Sequence, residues 1–284
     1  MPGRKPVRGM LLLACLLLAG CGSAPPLLNP VAEQAERLRK DGGRAYAHLD
    51  YLAAARHYAA AAQLHGSVDD VAAAALDRIN LARALAAAGD RGAAQAQLDT
   101  LLAEGSELPG ALRAEALRQK AVLALAAGHN EEAQRWQQQA GTACGADCPL
   151  AASLALIQAQ LALRRGELPQ AAGAVAEAQK LLGPADPPTP EHANAARLAG
   201  EIALQRKDWI QARPSLEQAL ALDRRLGAAG RVRLDLRLLA VMEEGSGDLP
   251  AARARYQRLL QAAEAGGDSE AATFARTGLS RLKN

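Results

Sequence analysis

The chain has 284 residues, half of them hydrophobic and only 2% aromatic, with 33 basic and 30 acidic side chains. Three of the basic residues lie within the first eight positions, so the remainder carries 30 charges of each sign and is formally neutral. A neutral chain offers little electrostatic attraction to nucleic acid or to an anionic membrane surface, and the composition argues against both partners.

The first 21 residues have the three-part order of a secretory signal. A positively charged segment opens the chain, and the apolar run at 10–18 is too short to span a bilayer. It is followed by Cys21 in the sequence Leu-Ala-Gly-Cys, which resembles the bacterial lipobox. The resemblance implies cleavage of a signal peptide at 1–20 and a lipidated, palmitate-bearing Cys21 at the new N-terminus. The alternative is an ordinary signal peptide that happens to contain a cysteine.

The residues after the lipobox indicate a destination. Gly22 stands where an aspartate commonly retains such lipoproteins in the inner membrane, so the resemblance implies the periplasmic face of the outer membrane. Residues 21–30 form a lipidated tether, of which about nine residues reach roughly 30 Å when extended. We therefore expect the folded part, 31–284, to lie close to the membrane.

Two of the four cysteines remain once the signal and the lipidated residue are set aside. In an oxidising periplasm we expect Cys144 and Cys148 to form a disulfide. A redox pair or half of a metal site are the alternatives. A redox motif would be C-x-x-C, and no second cysteine pair or nearby histidine pattern completes a zinc site.

From residue 31 onwards a helix-turn-helix pattern recurs six times. Its fullest copy, 198–222, has small residues where two helices must approach and bulky ones, including Ile210 and Leu216, to fill the space between them. One such pair cannot bury its apolar face alone, so the repetition predicts a stacked array. The second helix of each copy carries an alanine at near-constant intervals of about 40 residues: Ala54, Ala94, Ala133, Ala171, Ala212 and Ala252.

These copies resemble tetratricopeptide repeats (TPRs). The resemblance is carried by the turns Gly89-Asp90, Gly128, Gly166, Asp208-Trp209 and Gly247-Asp248, and by the first-helix small residues Ala82, Ala121, Ala159, Gly200 and Ala240. It covers about 31–263 and implies an all-α solenoid of about six TPR-like helix pairs. The pattern at 269–282 adds a C-terminal capping helix. The family's early tryptophan is replaced, and the period exceeds its usual 34, which leaves armadillo or HEAT-type pairs as the alternative fold.

The strongest break in the array is the sequence GPADPPTP at 183–190, which separates four pairs from two. Thr189 is a candidate N-cap, with Pro190 at the first helical position. This segment is either a hinge or a longer surface loop.

No catalytic constellation is recognisable in the sequence. The five histidines form no H-x-x-x-H pair, and neither a G-x-S-x-G elbow nor a phosphate-binding glycine loop is present. We therefore expect no enzyme, no cofactor and no metal site.

The TPR resemblance places first-helix side chains along a concave groove. By the family's pattern the groove residues are Arg83, Arg118, Arg197, Glu201 and Arg237. A guanidinium can bind both oxygens of a carboxylate, which fits acidic peptide segments. The alternative is that these are solvated positions in an arginine-rich chain. Tyr46, Tyr51 and Tyr58 either form a contact patch or fill gaps in the core.

Together these features predict a non-catalytic scaffold, anchored through Cys21, that binds envelope proteins or their peptide segments. The chain resembles lipoproteins that assist pilus secretin assembly, outer-membrane protein insertion or exopolysaccharide export. The alternative is a regulator that docks and activates a cell-wall synthase or hydrolase.

Overall fold

The structure is a computed structural model that describes residues 29–104 and 108–282. The signal peptide, Cys21 and the tether up to residue 28 lie outside the described residues. Asn29 caps the first helix, its side chain accepting from the backbone N–H groups of Val31 and Ala32. The first helix of the described residues begins at Pro30.

The described residues form thirteen α-helices and no strand. Twelve of the helices form six antiparallel pairs and the thirteenth covers the last pair, so the predicted all-α solenoid with a capping helix is confirmed. The pairs are α1 (Pro30–Ala47) with α2 (Tyr51–Ser67), α3 (Val71–Ala87) with α4 (Arg91–Glu104), α5 (Gly110–Ala127) with α6 (Asn130–Cys144), α7 (Ala151–Arg164) with α8 (Leu168–Leu182), α9 (Pro190–Gln205) with α10 (Trp209–Arg225), and α11 (Ala229–Gly245) with α12 (Leu249–Ala265); the cap is α13 (Ser269–Arg281).

The turn inside each pair needs a residue in the left-handed region followed by a helix cap. Glycine occupies the left-handed position in four of these turns: Gly89, Gly128, Gly166 and Gly247. The other two turns use Leu49 (φ 64°) and Lys207 (φ 58°). An aspartate then caps several second helices; Asp208, for example, accepts from the backbone N–H of Gln211.

Small residues on first helices receive large side chains from the neighbouring second helices. A Cβ at Gly200 would lie 2.6 Å from Leu216 Cγ, and one at Gly42 would lie 2.9 Å from the ring of Tyr58. Ile210, which the sequence pattern placed in this interior, is instead 83% exposed. It is the second residue of α10, and it is the preceding Trp209 that turns inward against Gly245.

The segment at 183–190 crosses a packed junction. α9 contacts both α7 and α8, and one apolar cluster contains Leu163, Val175 and Ile202 from these three helices. Continuous packing under the segment favours a surface loop over a hinge.

Cys144 is the last residue of α6 and is bonded to Cys148, with 5.1 Å between their Cα atoms. Their bond closes the turn between the third and fourth pairs. Among the helices that the structure describes, none is both long enough and apolar enough to cross a bilayer.

Candidate functional site

The first helices form the inner row of the solenoid. From α3 onwards each first helix contacts the next: α3 with α5, α5 with α7, α7 with α9, α9 with α11 and α11 with α13. In the described residues, no contact of that extent joins successive second helices. An array is most closely spaced on its inner side, so the first helices line its concave face, which we call the groove.

The N-terminal end of the groove presents two tyrosines and an arginine. The rings of Tyr46 and Tyr51 meet edge to face with 5.1 Å between centroids. Arg83 is exposed on α3, and its guanidinium carbon lies 5.9 Å from the centre of the Tyr46 ring. Tyr58, by contrast, is buried against Gly42. Of the three tyrosines, one therefore fills the core and two stay half-buried beside the groove.

The array curls enough to bring its sixth pair near its first. The positive charge of Arg233, on α11, acts on Tyr51, whose pKa is raised chiefly by burial and then by Tyr46. Tyr46 in turn acts on Arg231, also on α11. These residues belong to the first and the sixth pair, with four pairs between them, so the two ends of the groove are close enough to act on each other electrostatically.

Glu201 lies half-buried in the middle of the groove. Burial raises the pKa of its carboxyl group, and the charges of Arg197, Arg231 and Arg164 oppose that rise. Within the described part of the chain, the Glu201 carboxylate has no hydrogen bond and no ion pair at contact distance. It is therefore available to a lysine, arginine or hydroxyl group of a bound segment.

The C-terminal end of the groove is a small cavity of about 430 Å³ between α11 and α13. Arg237 lines it, with its guanidinium carbon 4.0 Å from the centre of the Phe274 ring. The Arg237 side chain is 44% exposed and lies 3.8 Å from Glu270, whose side chain is 90% exposed. An ion pair so open to solvent contributes little, so the guanidinium remains free to bind a ligand.

Two of the predicted groove residues are already occupied. Arg197 is only 2% exposed, and its guanidinium binds Asp223 and Asp235. Arg197 therefore does not line the groove as the sequence predicted, because its guanidinium lies in the junction between α9, α10 and α11. Arg118 is mostly buried and makes a two-pronged contact with Glu115 of the same helix, at 2.8 and 2.6 Å.

A second buried cluster of the same kind, not predicted from the sequence, joins the first two pairs. Arg39 on α1 donates to Asp77 on α3 and to the carbonyl oxygen of Ala73, while His65 Nδ1 lies 2.7 Å from Asp77 Oδ2. The separations from Arg39 to His65 and to Asp77 are 26 and 38 residues, the same as those from Arg197 to Asp223 and to Asp235. That repeated spacing was the available signal.

A larger cavity, of about 730 Å³, lies away from this row between α4, α5 and α6. Trp136 lines it and is half-buried. Lys120 stacks 3.7 Å from the centre of its ring and pairs with Asp99. The polar groups at its centre thus have partners within the protein.

Groups of three or more histidine, cysteine or acidic side chains able to hold a metal ion do not occur in the residues that the structure describes. The concave face offers ion pairing, stacking and hydrogen bonding along an extended surface.

Several solved structures have the same arrangement of helix pairs. The APC/C hetero-tetramer Cut9-Hcn1 matches with a TM-score of 0.68 and 14% identity over 89% of this chain, which spans 43% of the length of that chain. TTC0263, a thermophilic TPR protein of Thermus thermophilus, matches with a TM-score of 0.56 and 22% identity over 72% of this chain and 98% of its own. BtubC from P. vanneervenii gives 0.55 and 16%, over 84% and 93%.

At these identities the likeness establishes the fold, and the chain is a TPR-fold solenoid. No protein-family model and no curated protein matches the sequence. The longer period predicted from the sequence is therefore accommodated within TPR architecture.

Proposed function

We propose that this TPR-fold solenoid is a non-catalytic scaffold whose groove binds a segment of another protein. One observation carries the proposal: an exposed arginine stands over an aromatic ring at each end of the groove, Arg83 over Tyr46 and Arg237 over Phe274. The chain has only seven aromatic residues, and two of them serve as these platforms.

The stacked arginines favour an acidic partner. A ring beneath a guanidinium restricts the orientation of a long side chain, so less conformational entropy is lost when a carboxylate binds. The planar edge of the guanidinium remains available for two parallel hydrogen bonds. Glu201, between the two ends, suits a basic or hydroxyl-bearing residue. We infer a segment with acidic residues near both ends and a donor between them.

The sequence features at the N-terminus support a location for this scaffold. The lipobox-like end of the signal favours an anchor on the outer membrane through Cys21, and the Cys144–Cys148 disulfide suits an oxidising compartment. The partner would then be an envelope protein, in a machine that assembles or exports components across the envelope. Replacing Cys21 by alanine should release the protein from the membrane fraction if the anchor is correctly assigned.

Site-specific crosslinking in intact cells tests the groove. A photoreactive residue at position 83 or 237 should capture the same envelope protein, and the crosslinked peptide should be acidic. A probe at Glu177, exposed on α8, is the matched control and should not capture it. The Arg83→Glu/Arg237→Glu variant should lose capture by a probe placed at Lys40, exposed on α1. Equal capture from position 177 would show that the groove is not the binding surface.

The identity of the captured protein distinguishes a scaffold for assembly from a regulator of a cell-wall enzyme. A component of a secretin, outer-membrane insertion or polysaccharide export machine favours assembly. A peptidoglycan synthase or hydrolase, whose rate changes when the solenoid is added, favours regulation.

A further inference from the structure

The junction between the fifth and sixth helix pairs contains two buried carboxylates and one buried guanidinium. Arg197 Nε donates to Asp235 Oδ1 at 2.6 Å, and Arg197 Nη2 donates to Asp223 Oδ2. Asp223 is 2% exposed and Asp235 is fully buried. The three side chains come from α9, α10 and α11, so the cluster joins three helices at one point.

The second carboxyl oxygen of Asp235 lacks a hydrogen-bond donor. Asp235 Oδ2 is buried and, within the described residues, accepts no hydrogen bond. The Asp223 and Asp235 carboxyl groups bind neighbouring nitrogens of the same guanidinium, and Asp223 contributes to the raised pKa of Asp235. Two carboxylates this close cannot both remain ionised without strong repulsion, and a proton between them removes it. A shared proton would also satisfy the oxygen that lacks a partner.

The other charged groups around Asp223 and Asp235 compensate the negative charge of the pair only in part. Besides Arg197, Arg231 on α11 acts on both carboxylates, and Glu201 on α9 acts on the two arginines. Asn194, which Arg197 Nη1 contacts at 3.3 Å, is neutral. Arg231 is exposed, so solvent screens its charge and it only partly offsets the two carboxylates that share the buried Arg197.

The matching junction between the first and second pairs is built differently at two positions, one of which is Glu36, which binds Arg39 where Asn194 contacts Arg197. Each member of the Arg39, His65 and Asp77 cluster precedes its counterpart by 158 residues, which is the length of four repeats. His65 stands where the later junction has Asp223. The earlier junction therefore sets one fully buried carboxylate and the half-exposed Glu36 against its guanidinium, whereas the later junction sets two buried carboxylates.

We propose that Asp223 and Asp235 share one proton taken from solvent, which makes the joint between the fifth and sixth pairs tighten on mild acidification. With the proton in place, the two carboxyl groups hold α10 to α11 by a hydrogen bond. When the proton leaves, they repel each other, and the last pair, which carries Arg237, is held less firmly. The joint acts in this way whether or not the groove binds a protein.

The direction with pH follows from the raised pKa. Burial, opposed by Arg197 and reinforced by Asp223, raises the pKa of Asp235 to about 6, above its ordinary value of 3.8. The folded chain thus keeps a proton that the unfolded chain releases. The added stability is fully present below about pH 4 and is lost as the pH rises through about 6. For this pair alone, the folding equilibrium constant should fall about tenfold between pH 5 and pH 7.5.

Direct titration of the purified full chain tests the proposal without any variant. The side-chain carboxyl carbon of Asp235 should show a titration step near pH 6 by NMR. If every aspartate carboxyl carbon in the wild-type protein titrates below pH 5, the proposal is wrong.

Urea unfolding then tests the link to stability. Asp223→Asn keeps the shape and supplies a donor to Asp235, so it should remove the tenfold dependence and be more stable than wild type at pH 7.5. Glu177→Gln, an exposed carboxylate on α8, is the control and should keep the wild-type dependence. Identical pH profiles for wild type and Asp223→Asn would overturn the proposal.

Discussion

Arg197 Nε donates a hydrogen bond to Asp235 Oδ1 at 2.6 Å, so a side chain expected in the groove instead joins α9 to α11. Replacing Arg197 by leucine would leave two buried carboxylates without their cation. We expect the free energy of unfolding at pH 7.5 to fall by about 3–5 kcal/mol, as when one partner of a buried ion pair is removed. Urea denaturation measures this change.

Arg237→Leu is the matched control, because Arg237 is also a first-helix arginine but is half-exposed. Its free energy of unfolding should change by less than about 1 kcal/mol. Equal losses in the two variants would contradict the assignment of Arg197 to the core.

The sequence predicted the number of helix pairs, their turns and the cap because these depend on local signals. Gly89-Asp90 and Gly247-Asp248 combine a left-handed residue with a helix cap, and both can be read without knowing the neighbouring helices. The role of Arg197 depended on Asp223 and Asp235, 26 and 38 residues away. A first-helix position can face the groove or the next pair, and only the crossing of α9 with α11 decides between them.

The close approach of α9 and α10 at Gly200 predicts opposite effects for two glycine substitutions. In Gly200→Ala the new Cβ would lie 2.6 Å from Leu216 Cγ and 3.3 Å from its backbone nitrogen, so we expect a loss of about 1–3 kcal/mol. Gly173 lies exposed within α8 with no atom near its Cβ position. Gly173→Ala should therefore stabilise the protein by up to about 1 kcal/mol, through helix propensity. Thermal unfolding of the two variants distinguishes these signs.

The disulfide between Cys144 and Cys148 encloses a loop of only a few residues, so its effect on the unfolded chain is limited. Chain entropy predicts that the double substitution to serine lowers the free energy of unfolding by about 2 kcal/mol. Reduction of the wild-type protein should give the same loss, and the reductant should leave the double variant unchanged. If oxidised and reduced wild type unfold at the same urea concentration, the bond contributes no stability.

The stacking of Arg237 on Phe274 predicts that charge alone is insufficient for binding. Arg237→Lys keeps the positive charge but loses the planar edge and much of the ring contact. We expect capture of the partner by the position-83 probe to fall nearly as far in Arg237→Lys as in Arg237→Ala. Full capture in the lysine variant, measured at matched protein levels, would mean that the C-terminal end of the groove acts only as a diffuse positive charge.

His65 and Asp223 occupy equivalent positions, so the carboxylate pair should be transferable to the first junction. His65→Asp places a second buried carboxylate beside Asp77 and Arg39. The Glu36 carboxylate, which also pairs with Arg39, is half-exposed and is unchanged in both variants. His65→Asn removes the same ring without adding charge and is the control for lost volume. At pH 7.5 the aspartate variant should be less stable than the asparagine variant by about 1–3 kcal/mol, the cost of an excess buried charge or of the proton that neutralises it. Because the added pair binds a proton more readily when folded, this gap should close as the pH falls towards 5. A gap that is the same at both pH values would show that the two junctions are not equivalent.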